Sequence, residues 1–128
     1  MSVPATVVIA DDDPDIRALI ELATQRAGHT VLASVADGEA AWAAANTHLP
    51  DLVILDVCMP KLTGLQVCER LRADARTVRL RILLVSANAQ DSAAHSGLVA
   101  GADAYLPKPF TLRSLRTKIA ELLEVRAQ

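Results

Sequence analysis

The chain has only two cysteines, Cys58 and Cys68, and they form no CxxC pair. That argues against a disulfide scaffold and against a redox role for either thiol. No run approaches the roughly 20 apolar residues that cross a bilayer. The first residues, Met1-Ser2-Val3-Pro4, lack the charged and hydrophobic regions of a secretory leader. The expectation is a soluble, cytoplasmic protein with no membrane association. With 13 basic and 15 acidic residues the formal charge is −2, so no global basic field points to nucleic acid. No phosphate-cradling glycine loop of the GxxxxGKS/T kind occurs, which argues against an ordinary nucleotide P-loop. No low-complexity tract or linker divides the chain.

What is present suits one domain. Of 128 residues, 52% are hydrophobic, enough for one substantial core and too few for two. Short apolar runs recur at Val7-Val8-Ile9, Val31 to Val35, Leu52 to Leu55, Ile82 to Val85 and around Tyr105-Leu106. Their length and β-branching predict strands. The third and fourth are almost continuously apolar, as strands covered on both faces are.

Helical spacing lies between them. Ile16, Leu19, Ile20 and Ala23 follow i, i+3, i+4, i+7, with Asp13 as N-cap, Pro14 at the first helical position and Gly28 as the stop. Thr111 caps a last helix whose Leu112, Leu115, Ile119, Leu122 and Leu123 share one face. Asp37-Gly38 opens an alanine-rich helix carrying Trp42, read as packing against the sheet, and Gly64 precedes one carrying Leu65, Cys68 and Leu71. Five βα units result. They predict a doubly wound α/β domain with a parallel sheet, right-handed crossovers and helices on both faces.

In such a sheet, ligands bind beyond the carboxyl ends of the strands, and the notable polar residues collect there. Asp11, Asp12 and Asp13 end the first strand, Asp56 the third and Ser86 the fourth; Lys108 follows the fifth. Carboxylates at 4 Å repel by about 4 kcal/mol per pair at an effective dielectric of 20. A hard divalent cation relieves that repulsion, and Mg²⁺ suits one or two carboxylates with water and phosphate oxygens. An ionised aspartate can attack phosphorus if metal and lysine neutralise the incoming oxygens. Asp11 to Asp13 also suit helix capping, a role assigned to Asp13.

Four segments together resemble the receiver domain of bacterial two-component response regulators, over about residues 5–125 of a single 1–128 domain. They are Val8 to Pro14, Leu52 to Pro60 with Asp56 and Met59-Pro60, Ser86-Ala87, and Gly101 to Phe110 with Lys108-Pro109. The resemblance implies a flavodoxin-like (βα)5 fold with strand order 2-1-3-4-5. It makes Asp56 the phosphoacceptor. Asp12 would bind Mg²⁺ directly (Mn²⁺ as substitute), Asp11 mainly through water, and Cys58 through its backbone carbonyl. Lys108 would pair with Asp56 at rest and with the phosphoryl group afterwards, beside a cis Lys108-Pro109 bond. Ser86 and Tyr105 would be the switch residues, moving with the face of the fourth helix, fifth strand and fifth helix.

The partners implied are a histidine kinase or phosphotransfer protein upstream, and a downstream protein or covalently linked output domain. Direct nucleic-acid contact is not expected, because no helix-turn-helix follows the partly basic last helix with Arg113, Arg116, Lys118 and Arg126. A monomer or a phosphorylation-dependent dimer is implied, although the charge pattern typical of dimerising receivers is not evident. Cys58 and Asn88 occupy positions that influence dephosphorylation in the family, so the phosphoryl lifetime stays open. Ser92, His95, Ser96 and Gly97 are poor helix formers, glycine by about 1 kcal/mol against alanine; they make the predicted fourth helix either a low-cost switch or a weak surface helix. His29, His48 and His95 sit near helix ends or on a helix surface without partners, so they are not read as metal ligands. Two other classes compete: a pseudo-receiver signalling through contacts alone, and an aspartyl-phosphate hydrolase. The complete acidic set with Lys108 argues against the first. The lack of a cap insertion, or of a second aspartate two residues after Asp56, argues against the second.

Overall fold

The computed structural model describes residues 4–87 and 100–127. Along them run β1 (Thr6–Ala10), α1 (Pro14–Arg26), β2 (Thr30–Val35), α2 (Gly38–His48), β3 (Leu52–Asp56), α3 (Gly64–Ala73), β4 (Arg81–Ser86), β5 (Ala104–Pro107) and α4 (Leu112–Ala127). The last is the fifth helix of the sequence reading. The predicted fourth helix, with Ser92, His95, Ser96 and Gly97, lies outside the described residues, as does Asn88.

The helices begin where their caps dictate. Asp13 Oδ1 accepts the N–H groups of Asp15 and Ile16 at 2.9 and 3.3 Å, and Asp37 Oδ1 accepts that of Ala40 at 2.8 Å. α3 carries a full capping box. Thr63 Oγ1 accepts Gln66 N–H while Gln66 Oε1 accepts Thr63 N–H, a T-x-x-Q signal that makes Gly64 the first helical residue, where the sequence reading set it before the helix. Thr111 and Ser114 make the same exchange at α4, both at 3.0 Å. Such a cap contributes about 1 kcal/mol. Gly28, at φ 90, follows the C-cap Ala27 of α1 and takes the left-handed turn that stops it.

All strand pairs are parallel, in the order β2-β1-β3-β4-β5. Alternate residues of each strand feed two cores, as the two-residue period of a strand requires. Val8, Val53, Leu55, Ile82 and Leu84 join α2 and α3 on one face. Val7, Ile9, Leu52, Ile54, Leu83 and Val85 join Ile20 and Ala23 of α1 and Leu115 and Ile119 of α4 on the other. Each fully buried leucine or isoleucine contributes about 1.5–3 kcal/mol relative to exposure. β3 is buried at every position, as its unbroken apolar run predicts. Trp42 is half-buried against the first cluster, as read from the sequence.

Far from the strand carboxyl ends, Arg72 ties α3 to the start of β5. Its guanidinium donates to the carbonyls of Gly101, Val78 and Leu80 at 2.8, 2.8 and 2.6 Å and to Asp103 Oδ2 at 2.8 Å. Asp103 Oδ2 also accepts the Ile82 N–H at 2.7 Å. The sequence reading missed this strut, since nothing in local spacing pairs residues 31 apart.

Candidate functional site

The order of strands reverses at β1, with β2 on one side and β3 on the other, which opens a crevice beyond their carboxyl ends. Pairing runs from Val7 with Leu52 to Ala10 with Leu55. One further step of that register brings Asp11 alongside Asp56. Asp56 itself pairs with Val85, and Ser86 with Pro107. Strand pairing thus brings Asp11, Asp56, Ser86 and Lys108, successively 45, 30 and 22 residues apart in sequence, to one edge of the sheet.

Asp11, Asp12 and Asp56 come together there. Their ligand oxygens all lie within 4.8 Å of one another; Asp11 and Asp56 are buried and Asp12 is exposed. Lys108 Nζ stands 3.1 Å from Asp11 Oδ2 and 3.5 Å from Asp56 Oδ1. The sequence reading pairs Lys108 with Asp56; the structure contains that contact and adds Asp11, so the ammonium is shared by both carboxylates and sits nearer Asp11.

Asp11 is held at several points. Its N–H donates to Val35 O at 3.1 Å, its Oδ1 accepts the Asp13 N–H at 2.9 Å, and its carbonyl accepts Arg17 Nη1 at 2.8 Å. Its Oδ2 is sealed from solvent with no aligned hydrogen bond. Lys108 approaches that oxygen to 3.1 Å as an ion-pair contact. A buried carboxylate oxygen with unfilled acceptor capacity, beside two further carboxylates, fits a hard divalent cation. One ammonium against three carboxylates leaves the cluster net negative, which favours the same ligand.

Burial, then the Asp11 charge, raises the Asp56 pKa from 3.8 to about 6; Lys108 and the Cys58 backbone N–H act the other way, and Asp12 adds to the rise. Burial disfavours the Lys108 ammonium. The contact with Asp11 and the charge of Asp56 outweigh it, so its pKa moves up. Asp56 is therefore a carboxylate held near the point of protonation beside a firmly charged lysine.

Ser86 is 2% exposed, and its carbonyl accepts the Lys108 N–H at 2.7 Å, which links the fourth strand end to the lysine. Tyr105 is half-buried against the first core cluster and pairs with Leu84. The Lys108-Pro109 bond is cis, in line with the resemblance. Cys58 is exposed in the loop after β3, whereas Cys68 is buried with Sγ 3.3 Å from Ala100 O, and both thiols are free. His29 does have a partner, contrary to the sequence reading: its Nδ1 accepts the Ala5 N–H at 3.1 Å, tying the turn before β2 to the start of β1.

Two glycines let the surrounding backbone close on the site. A Cβ at Gly64 would lie 2.3 Å from Asp56 O, and one at Gly38 would lie 2.0 Å from Leu62 O. The Gly38 N–H donates to Pro60 O at 3.2 Å and the Gly64 N–H to Val57 O at 2.9 Å, so the loop after Asp56 is gripped at two points. Close approach is the property that glycine alone offers here.

Comparison with known proteins agrees with this arrangement. The family described as the response regulator receiver domain matches residues 7–120. The DNA-binding dual master transcriptional regulator RpaA of Synechocystis is 38% identical over 117 residues, covering 91% of this chain and 48% of RpaA. The chain thus spans about half the length of the curated relatives it matches. A Chloroflexus aurantiacus protein assigned as a response regulator superposes with a TM-score of 0.89 at 36% identity, over 95% of this chain and 99% of that one. The receiver domain of the Pseudomonas aeruginosa sensor histidine kinase PA1611, solved with a magnesium ion in its active-site cleft, gives 0.86 at 27% identity over 95% and 99%. No described helix is long and apolar enough to cross a membrane. Sheet order, site and similarity converge: the chain belongs to the receiver domain family of two-component response regulators.

Proposed function

We propose that this chain is a Mg²⁺-dependent phosphorylation switch whose acceptor is Asp56. The observation that carries the reading is the grouping of Asp11, Asp12 and Asp56 within 4.8 Å, with Lys108 bridging Asp11 and Asp56. Asp11, Asp12, Asp56 and the Cys58 carbonyl would hold the cation. When bound, it supplies positive charge that offsets the carboxylates and the incoming phosphoryl oxygens.

An Asp56 carboxylate oxygen forms the new O–P bond as the bond from phosphorus to the donor's histidine nitrogen breaks. The nitrogen keeps the electron pair and takes up a proton. Lys108 releases Asp56 and pairs with a phosphoryl oxygen, keeping its contact with Asp11. The Ser86 hydroxyl donates to a second phosphoryl oxygen. Attack requires the ionised carboxylate, and Lys108 and the Cys58 N–H hold Asp56 toward that form against burial. Phosphorylation adds charge and three acceptor oxygens. Ser86 turns inward to meet them and Tyr105 fills the space it leaves, so the surface around β5 and α4 shifts between two packings. The donor is a histidine kinase or phosphotransfer protein, and the output is a partner or a linked domain; RpaA, about half of which this chain spans, is a DNA-binding transcriptional regulator. Hydrolysis of the aspartyl phosphate resets the switch.

Incubation with Mg²⁺ and acetyl phosphate should add one acid-labile, hydroxylamine-sensitive phosphoryl group by mass spectrometry, absent from Asp56→Ala. A folded wild-type chain that stays unmodified while a control receiver is labelled would point instead to a contact-only module.

A further inference from the structure

We propose that Arg17 is a positioning residue for the cation site, acting on Asp12 through the backbone. The inference rests on the acidic-site reading above and extends it to a side chain outside the ligand set. Asp12 is exposed, so packing cannot orient it. What constrains it is the pair of peptide groups on either side. The peptide before it is pinned at its carbonyl, where Arg17 Nη1 donates to Asp11 O at 2.8 Å. The peptide after it is pinned at its N–H, which donates to Asp11 Oδ1 at 2.9 Å. A planar peptide with its carbonyl direction held has little freedom left, so these two bonds aim the Asp12 Cα–Cβ vector toward Asp11 and Asp56.

The arrangement is local and directional. Arg17 lies one turn into α1, half-buried, where the helix N-terminus anchored by Asp13 and Pro14 fixes its stem. Its guanidinium bonds a neutral carbonyl, leaving the carboxylate oxygens of Asp11 for Lys108, the Asp13 N–H and a cation. Partners that orient metal ligands typically contribute 10–100-fold in metal affinity. With an exposed ligand, the lower end applies.

The test is Mg²⁺ binding to the unphosphorylated 128-residue chain by calorimetry, with Mn²⁺ paramagnetic resonance as a second measure. Wild type, Arg17→Ala and Arg17→Met are compared, the methionine keeping an apolar stem over the same surface. Removing a cation near the site would by charge alone tighten Mg²⁺. Weakening of about tenfold in both variants, with metal-free thermal midpoints close to wild type, is the expected result and reports lost orientation. Equal or tighter binding in either folded variant overturns the role of Arg17 while leaving the metal site intact. No Mg²⁺ binding by the wild-type chain would instead defeat the acidic-site reading itself.

Discussion

Lys108 stands closer to Asp11 than to Asp56, 3.1 Å against 3.5 Å. The lysine is thus a shared counter-ion for both buried carboxylates, and a divalent cation would compete with it for the same oxygens. This one relationship sets the expected behaviour of the site towards charge substitution, pH and metal.

Replacing Lys108 by methionine should have opposite effects on stability and metal binding. Without the ammonium, Asp11 and Asp56 repel with less compensation. The metal-free domain should lose on the order of 3 kcal/mol at neutral pH, as when one partner of a buried pair is removed. Mg²⁺ should bind roughly tenfold tighter, because its competitor is gone. Urea unfolding and calorimetric titration read the two effects. Weaker Mg²⁺ binding in a folded variant would count against a shared counter-ion.

The raised pKa of Asp56 predicts a pH-dependent cost. Its folded pKa, about 6, lies above the ordinary 3.8, so between these values the folded state binds more protons than the unfolded. Stability from this group is therefore full below pH 3.8 and is lost as pH rises through about 6. Asp56→Asn, which stays neutral, should be more stable than metal-free wild type above that window by on the order of 1–3 kcal/mol. The advantage should shrink towards acid pH. Parallel denaturant series from pH 4 to 8 test this, and a flat difference across the range would refute it.

Gly64→Ala should disturb Asp56 from behind. Its Cβ would fall 2.3 Å from the Asp56 carbonyl oxygen, and that partner is backbone, which yields little. Overpacking of this kind costs about 1–3 kcal/mol or more. The thermal midpoint should fall and acetyl phosphate labelling should slow in whatever fraction folds. Wild-type stability in the variant would show that the α3 start moves freely away from β3.

Arg72→Ala should loosen the base of β5. The variant removes the Arg72 donor from the Gly101, Val78 and Leu80 carbonyls and from Asp103, which keeps the Ile82 N–H and Arg81, a loss on the order of 2–3 kcal/mol. Arg72→Lys should restore little, since one ammonium cannot cover that planar fan of acceptors. A double-mutant cycle with Asp103→Ala measures the coupling. Additive losses would deny the pair its role.

Much of this protein is legible in the order of its residues. Strand and helix identities follow from local apolar period and from caps such as Asp13, Asp37 and Thr111, because these interactions close within a few residues. The acidic run Asp11 to Asp13, Asp56, Ser86 and Lys108 could be placed at strand ends by the same logic. The resemblance supplied the strand order, which periodicity cannot, since β1 packs between two strands it does not adjoin equally in sequence.

Only the folded chain decided how the charges meet. That Lys108 serves Asp11 as well as Asp56, that Asp11 Oδ2 is buried without an aligned donor, and that Arg17, Gly38 and Gly64 shape the loops around it are consequences of parallel register and close approach. The same holds for the Arg72 strut and the His29 bond to Ala5. Local propensity acts over one or two turns of chain, whereas these contacts join residues brought together by sheet pairing or set by the angle at which a turn leaves its strand. Sequence determined which groups arrive at the crevice; tertiary structure determined which of them share a charge.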